Sequence, residues 1–339
     1  MAATPISKLT AKPTPGNPAR LALAAFFATL PETPSWAACL GVAYSGGADS
    51  TALLLAAAKH WPGQVQAIHI HHGLQAAADE FVRVCTLVCT AHDIPLHVVQ
   101  VDAAPAPGES PEDAARKARY AALGTSAVRL NLQGVLLGQH ADDQVETVLL
   151  ALSRGAGLPG LSGMAAQFQH SGMTFYRPLL QTPAAGLRGW LTQCNIPFVD
   201  DPTNTDERYT RNRIRARLLP ALSHAFPQFR DTFARSARHA AQAHSLLVEV
   251  ARDDLARVGA EPAIKALQTL SEARQANLLR HWLLQTHRVT ASTAQLAQLL
   301  VQIAACTTRG HQIHLKVASG HVRRFGAVLR YTPVADQSG

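Results

Sequence analysis

Cys39-Leu40-Gly41-Val42-Ala43-Tyr44 runs directly into Ser45-Gly46-Gly47-Ala48-Asp49-Ser50 and then into Thr51-Ala52-Leu53-Leu54-Leu55. The first six residues form an apolar run of strand length, the last five open a helix-forming run that reaches Lys59, and a glycine turn joins them. Strand, glycine loop and helix in this order describe one β/α unit. The rhythm repeats: Val65 to Ile70, Leu96 to Val101 and Val135 to Leu137 read as further buried strands. Between and after them, Ala77 to His92, Pro111 to Leu130 and Asp142 to Arg154 have helix length and composition. The expected fold is therefore α/β, a doubly wound and mainly parallel sheet, with ligands beyond the carboxyl ends of its strands.

The chain has 339 residues, 47% of them hydrophobic, which is enough for two domains with real cores. After about Leu219-Pro220 the strand signals cease, and Phe229 to Arg257, Glu272 to Thr286 and Thr293 to Ala305 read as helices. Gln312 to Val317 and His321 to Tyr331 around Ser319-Gly320 read as a small hairpin. The expected organisation is a disordered leader over residues 1–20, a catalytic domain over 21–220 and a mostly helical substrate-binding domain over 221–339. The net charge of +8 suits a polyanion such as nucleic acid and would suit an anionic membrane surface as well, so charge alone leaves that choice open. Five scattered cysteines, with no Cys-x-x-Cys pair, point to a reducing cytoplasm. The Pro- and Thr-rich start lacks a signal-peptide core, and Ala22 to Leu30 is much shorter than the roughly 20 residues a membrane-spanning helix needs. That stretch reads as an amphipathic first helix, with no membrane partner.

Two glycines let the backbone turn sharply and aim successive N–H groups at one anion, and the following helix adds its positive end. Ser45 and Ser50 can add hydroxyl donors. The Walker spacing and its lysine are absent. Asp49 would repel a bare phosphate, so a carboxylate there makes sense as a holder of magnesium between protein and phosphates. The loop over Ser45, Gly46, Gly47, Ala48, Asp49 and Ser50 resembles that of the N-type ATP pyrophosphatases, Ser-Gly-Gly-x-Asp-Ser. That resemblance implies ATP as substrate, release of pyrophosphate, and transfer of AMP to an oxygen that a nitrogen or sulfur nucleophile then displaces.

After the Val135 strand comes Gly138-Gln139-His140-Ala141-Asp142-Asp143-Gln144-Val145-Glu146-Thr147. On a helix beginning near Asp142, Asp143 and Glu146 lie three apart and project together. Such a pair could grip an amino group, coordinate magnesium or take a proton from an amine. Acidic residues also favour a helix's first turn for its own sake. Arg208, Arg211 and Arg215 would form a basic stripe if their stretch is helical, and Arg213 with Arg217 another. Of His69, His71 and His72, the first two share a strand face, but no third ligand at metal-site spacing accompanies them.

The segment from His140 to Thr147, which reads His-x-Asp-Asp-x-x-Glu-Thr, resembles the acidic signature of the tRNA(Ile)-lysidine synthetases. Ile70-His71-His72-Gly73-Leu74, Ala115-Arg116-Lys117-Ala118-Arg119-Tyr120, Arg154-Gly155-Ala156-Gly157-Leu158, Arg177-Pro178-Leu179-Leu180, Asp201-Pro202-Thr203-Asn204 and Arg211-Asn212-Arg213-Ile214-Arg215 match the family in the same order. Together they cover nearly all of residues 38–220; Leu267 to Tyr331 resembles the family's substrate-binding domain more loosely, and longer members carry a further C-terminal domain.

The resemblance implies ATP-dependent joining of free L-lysine to the wobble cytidine of the isoleucine tRNA with a CAU anticodon, through an adenylated cytidine, giving lysidine, AMP and pyrophosphate. Codon reading then changes from AUG to AUA, and identity from Met to Ile. It makes Asp49, Asp143, Glu146, Arg119 and Arg211 the catalytic candidates, with Asp143 and Glu146 for lysine and His71 at the adenine. Arg208, Arg215, Arg235 and Arg238 are the expected tRNA contacts, and Asp49 the Mg2+ ligand. Rival readings are a tRNA cytidine thiolase, for which Cys85 and Cys89 are better explained as core packing, an NAD or GMP synthetase, and a non-catalytic tRNA-binding protein. Sequence does not choose between a monomer and a homodimer.

Overall fold

A computed structural model of the chain describes residues 16–30, 39–71, 78–101, 111–308 and 310–334. Most of the expected leader therefore lies outside the described residues, as do His72, Gly73 and Leu74. The chain divides into two compact units, Met1–Arg238 and His239–Gly339.

The first unit opens with α1 (Pro18–Ala28), a few residues earlier than apolarity suggested, because Asn17 caps it through the Ala19 N–H and Pro18 suits a first helical position. It continues through β1 (Leu40–Ala43), α2 (Ala48–His60), β2 (Val65–His71), α3 (Ala78–Ala91), β3 (Leu96–Gln100), α4 (Pro111–Arg129), β4 (Val135–Leu136) and α5 (Ala141–Ser153). Each matches an expected element to within a residue or two. The short α6 (Leu158–Leu161), the hairpin β5 (Gln167–His170) and β6 (Met173–Tyr176), and α7 (Ala184–Gln193) were not foreseen. The hairpin turns on Ser171 and Gly172, both at positive φ.

Among the described residues the sheet order is β3-β2-β1-β4-β6-β5, all neighbours parallel except the edge pair β5 and β6. Alternation along the strands sends Leu40, Val42, Val65 and Leu136 to one face, where they pack with α1, α2, α3 and α7. Ile68, Val135, Leu137 and Phe175 face the other side, against Tyr120, Leu123 and Ala127 of α4. The doubly wound architecture follows from residues that are apolar on both faces of the same strands.

Beyond the sheet come α8 (Thr210–Arg213), a wider π turn over Ile214–Leu218, and α9 (Leu219–Ala225). Ile214 and Leu219 bury against Val145 and Leu150 of α5 and against Phe229. Then α10 runs over Phe229–Val258.

In the second unit, α11 (Ile264–Gln268), α12 (Glu272–His287) and α13 (Thr293–Ala305) share a core around Trp282, Leu279 and Ile303 with the inner face of a small sheet. That sheet is a three-stranded antiparallel meander, β7 (His314–Val317), β8 (Gly320–Phe325) and β9 (Val328–Pro333). The single expected hairpin is thus one strand short: Gly326, at positive φ, folds His321 to Tyr331 back on itself.

Candidate active site

A cavity of about 690 Å³ opens in the first unit beyond the carboxyl ends of β1, β2 and β4. Its edge is the loop after β1. Gly46 sits at φ +86, a conformation that favours glycine, and an added Cβ would also crowd Cys85 Sγ at 3.1 Å. The Gly46 carbonyl accepts from the Val199 N–H at 2.9 Å, which ties the loop to the chain after α7. Ser50 Oγ donates to the Gly47 carbonyl at 3.0 Å and accepts from the Ser45 N–H at 3.2 Å, and the two serine hydroxyls lie 3.0 Å apart. Gly47 caps α2 without a side-chain acceptor, so the first N–H groups of α2 have no side-chain cap to satisfy them and are suited to an anion.

Gly138, just after β4, backs this loop: a Cβ there would stand 3.1 Å from Ser50 N and 3.2 Å from Ser50 Cα, so the backbone there would have to give by a few tenths of an ångström. Gly138→Ala is expected to push the start of α2 and raise the KM for ATP about tenfold with the fold retained. AMP release measured against ATP concentration checks this; a KM within twofold of the wild type would contradict it.

His140 caps α5 and forms a reciprocal box with Asp143: the His140 N–H donates to Asp143 Oδ2 at 3.1 Å and the Asp143 N–H points to His140 Nδ1 at 3.4 Å. The residue is 6% exposed and its Nε2 lies 3.5 Å from Asp49 and 3.4 Å from Asp143. Burial alone would lower its pKa. The Asp49 hydrogen bond and the charges of Asp143, Asp49 and Asp142 outweigh burial and hold it at about 9. His140 thus ties the phosphate loop to α5 through its contacts with Asp49 and Asp143.

Asp143 lines the cavity, whereas Glu146, one turn on, is fully buried behind it. Arg215 joins the two, donating through Nε to Glu146 Oε1 at 2.5 Å and through one terminal nitrogen to Glu146 Oε2 at 3.1 Å and Asp143 Oδ1 at 3.0 Å. Burial raises the Glu146 carboxyl above its ordinary range, and the guanidinium of Arg215 opposes that. The neighbouring Asp142 turns away from the cavity. Against the effect of burial, Arg230 at 2.6 Å and the Ala184 N–H at 3.1 Å hold its carboxyl below its ordinary range.

Of the residues singled out in the sequence, Ser45, Gly47, Asp49, Ser50, His71, Arg119, Asp143, Arg211 and Arg215 line this cavity, and Gly46 and Ala48 shape its loop from beneath. The expected arginine stripe does not form as drawn. Arg208 precedes the helix and pairs with Asp206, and the π turn at Ile214–Leu218 breaks the 3.6-residue register. Arg211 and Arg215 turn to the cavity. Arg213 donates to the Glu207 and Arg208 carbonyls, and Arg217 pairs with Glu207. Arg235 and Arg238 are exposed on α10.

Sequence reading assigned no role to Gln139, Tyr120 or Arg177. Arg177 is 5% exposed and donates to Gln139 Oε1 at 2.5 Å, to the Ala165 carbonyl at 2.7 Å and to the Tyr120 hydroxyl at 3.4 Å, with its guanidinium 4.2 Å above the Phe168 ring. Its place in an Arg-Pro-Leu-Leu match was the available signal. Gln144 likewise exchanges hydrogen bonds with both backbone groups of Met164 at the cavity rim.

Among the described residues no three His, Cys, Asp or Glu side chains cluster as a metal site. Burial pushes the Cys85 thiol up to about 12 and the Cys89 thiol to about 11. Both are poor sulfur nucleophiles.

A family model described as a PP-loop domain matches residues 22–222, and one described as the TilS substrate binding domain matches residues 263–329. The tRNA(Ile)-lysidine synthase of Polaromonas naphthalenivorans (strain CJ2) is 71% identical over 94% of this chain and 96% of its own length. That of Burkholderia pseudomallei (strain K96243) is 41% identical over 84% of this chain, which spans 60% of that longer relative. Among solved structures, the U34-tRNA thiolase NcsA from Methanococcus maripaludis matches with TM-score 0.52 and 13% identity, covering 60% of this chain and 71% of that one. This likeness is one of fold.

Proposed function

Because the chain belongs to the tRNA(Ile)-lysidine synthase family, we propose that its cavity adenylates the wobble cytidine of the isoleucine tRNA with a CAU anticodon and then joins free L-lysine to it. The observation that carries this reading is that the phosphate loop and the Asp143 carboxylate line one cavity, so ATP and an amine can meet there. The enzyme is an ATP-using, tRNA-modifying ligase.

In the first step the cytidine carbonyl oxygen bonds to the α-phosphorus of ATP while the bond to pyrophosphate breaks. The loop N–H groups and the α2 terminus hold the departing charge. In the second, the ε-nitrogen of lysine attacks the ring carbon, AMP leaves with the oxygen, and the amine gives up its proton. Free lysine's amine has a pKa of about 10.4, so a carboxylate must hold it in place and take a proton. Asp143, which lines the cavity, suits this role, with Glu146 acting from behind through Arg215. Arg119 and Arg211 line the same cavity and suit the charge that develops on phosphate. The single carboxylate of Asp49 beside the loop fits Mg2+ that arrives on ATP, because this ion takes one or two protein carboxylates and fills its shell with phosphate and water. Bound there, Mg2+ would neutralise pyrophosphate charge. The exposed Arg208, Arg235 and Arg238 suit tRNA phosphates, and the cytoplasm is the compartment that supplies these substrates.

The test mixes purified protein with ATP, magnesium, L-lysine and the tRNA. Release of AMP together with tRNA that gains the mass of one lysine is expected; AMP release indifferent to lysine, with no mass gained, would refute the reading.

A further inference from the structure

Tyr120, Gln139 and Arg177 form a chain of hydrogen bonds with one permitted direction. An arginine side chain has donors only. Since Arg177 Nε donates to Gln139 Oε1 at 2.5 Å, the amide of Gln139 cannot be turned over, and its nitrogen must face Tyr120. That nitrogen donates to the Tyr120 hydroxyl at 3.2 Å, and a second nitrogen of Arg177 donates to the same oxygen at 3.4 Å. Both acceptor positions of the phenol oxygen are thus taken. Its own proton has no acceptor among the described residues, while Tyr120 and Gln139 both line the cavity beyond β4.

We infer that the Tyr120 hydroxyl is a fixed hydrogen-bond donor to an oxygen of the nucleotide bound in this cavity, with Gln139 and Arg177 as the positioning residues that set the direction of its proton. Three features make the arrangement more than packing. Arg177 is buried with no carboxylate partner among its contacts, so no opposite charge offsets its action on the groups it touches, Gln139 and Tyr120 among them. The Tyr120 ring is clamped edge-on by Phe168 and Phe175 at 5.5 Å each, which leaves the hydroxyl little freedom to point elsewhere. Although burial opposes it, donation from Gln139 and the charge of Arg177 draw the phenol below its ordinary pKa, so the proton is a stronger donor. Arg116 and Arg119 on the same helix stand 5.7 Å from the ring and His170 of β5 at 5.9 Å, so no carboxylate faces it among these contacts.

A preorganised donor aimed at an oxygen that gains charge strengthens its bond as the charge develops. The chemical class recognised is an oxygen acceptor of the nucleotide, either a phosphoryl oxygen of ATP or the oxygen transferred between cytidine and AMP.

The inference rests on the ligase reading above, and the wild-type assay separates the two. If the wild type makes no lysine adduct, the ligase reading fails. If the wild type is active, Tyr120→Phe is expected to keep its melting temperature within a few degrees and lose about 10–100-fold in kcat/KM, in line with removal of one oriented donor. The decisive variant is Gln139→Glu. The carboxylate still accepts from Arg177, but it can only accept from Tyr120, so the phenol proton turns away from the cavity. Activity is expected to fall as far as in Tyr120→Phe while thermal stability rises, because the buried guanidinium gains a charged partner. A Tyr120→Phe enzyme within twofold of wild-type turnover would overturn the inference. So would a Gln139→Glu enzyme as active as the wild type.

Discussion

Asp143→Asn is expected to lower lysine-dependent turnover by about 10²–10⁴-fold, the range over which a positioned acid or base acts, while leaving adenylation of the tRNA measurable. The Asp143 carboxylate is held on one side by the His140 N–H and on the other by Arg215, so its position is set before any substrate arrives. Asparagine has the same shape but keeps one acceptor oxygen. Whichever way the amide turns, its nitrogen meets a donor, either the backbone N–H or the guanidinium. More important for the chemistry, the negative charge that would face an ammonium group is gone. The measurement is a single-turnover experiment with ATP labelled in the α-phosphate. Label is expected to appear on the tRNA and to leave slowly when lysine is added. Lysine transfer within threefold of the wild type would contradict the role given to Asp143.

The second large effect concerns the pair behind it. Glu146→Leu and Arg215→Leu are each expected to destabilise the first unit by about 2–3 kcal/mol, below the usual cost of breaking a buried pair because the Arg215 side chain is 37% exposed and partly screened. Each single change strands a charge. With Arg215 gone, the Glu146 carboxylate stays at zero exposure without the guanidinium that hydrogen-bonds it and with only the charge of Arg211 to offset burial; with Glu146 gone, Arg215 keeps only Asp143. The double variant removes both and is expected to recover most of the lost stability, since well-packed apolar residues often replace a buried pair without penalty. Activity is not expected to return, because Arg215 lines the cavity and holds Asp143 in position. Urea unfolding of the four proteins gives the coupling energy. A double variant whose loss equals the sum of the two single losses would show that the pair contributes nothing beyond its separate contacts.

Sequence alone determined the parallel α/β unit, the phosphate loop and the helix that carries Asp143. Each depends on residues adjacent in the chain: apolar runs set the strands, two glycines set the turn, and a cap followed by helix formers sets the helix. The edge hairpin β5–β6 was harder to see. Gln167–His170 is a largely exposed edge strand with little apolar pattern, and its identity depends on pairing with Met173–Tyr176. The arginines show the same limit at the site. In the chain, Arg215 looks like one more cation on a basic helix, and Arg177 like a residue beside a proline.

Folding joins Arg215 to Glu146 across 69 positions, Arg177 to Gln139 across 38 and Arg230 to Asp142 across 88. A buried charge or amide must find its partner wherever the core brings one, and local periodicity carries no information about that distance. The chain therefore spelled out the anion loop and the acidic helix turn. Only the tertiary structure decided that Asp143 faces the cavity, that Glu146 is held behind it by Arg215, and that the Tyr120 proton has the cavity before it.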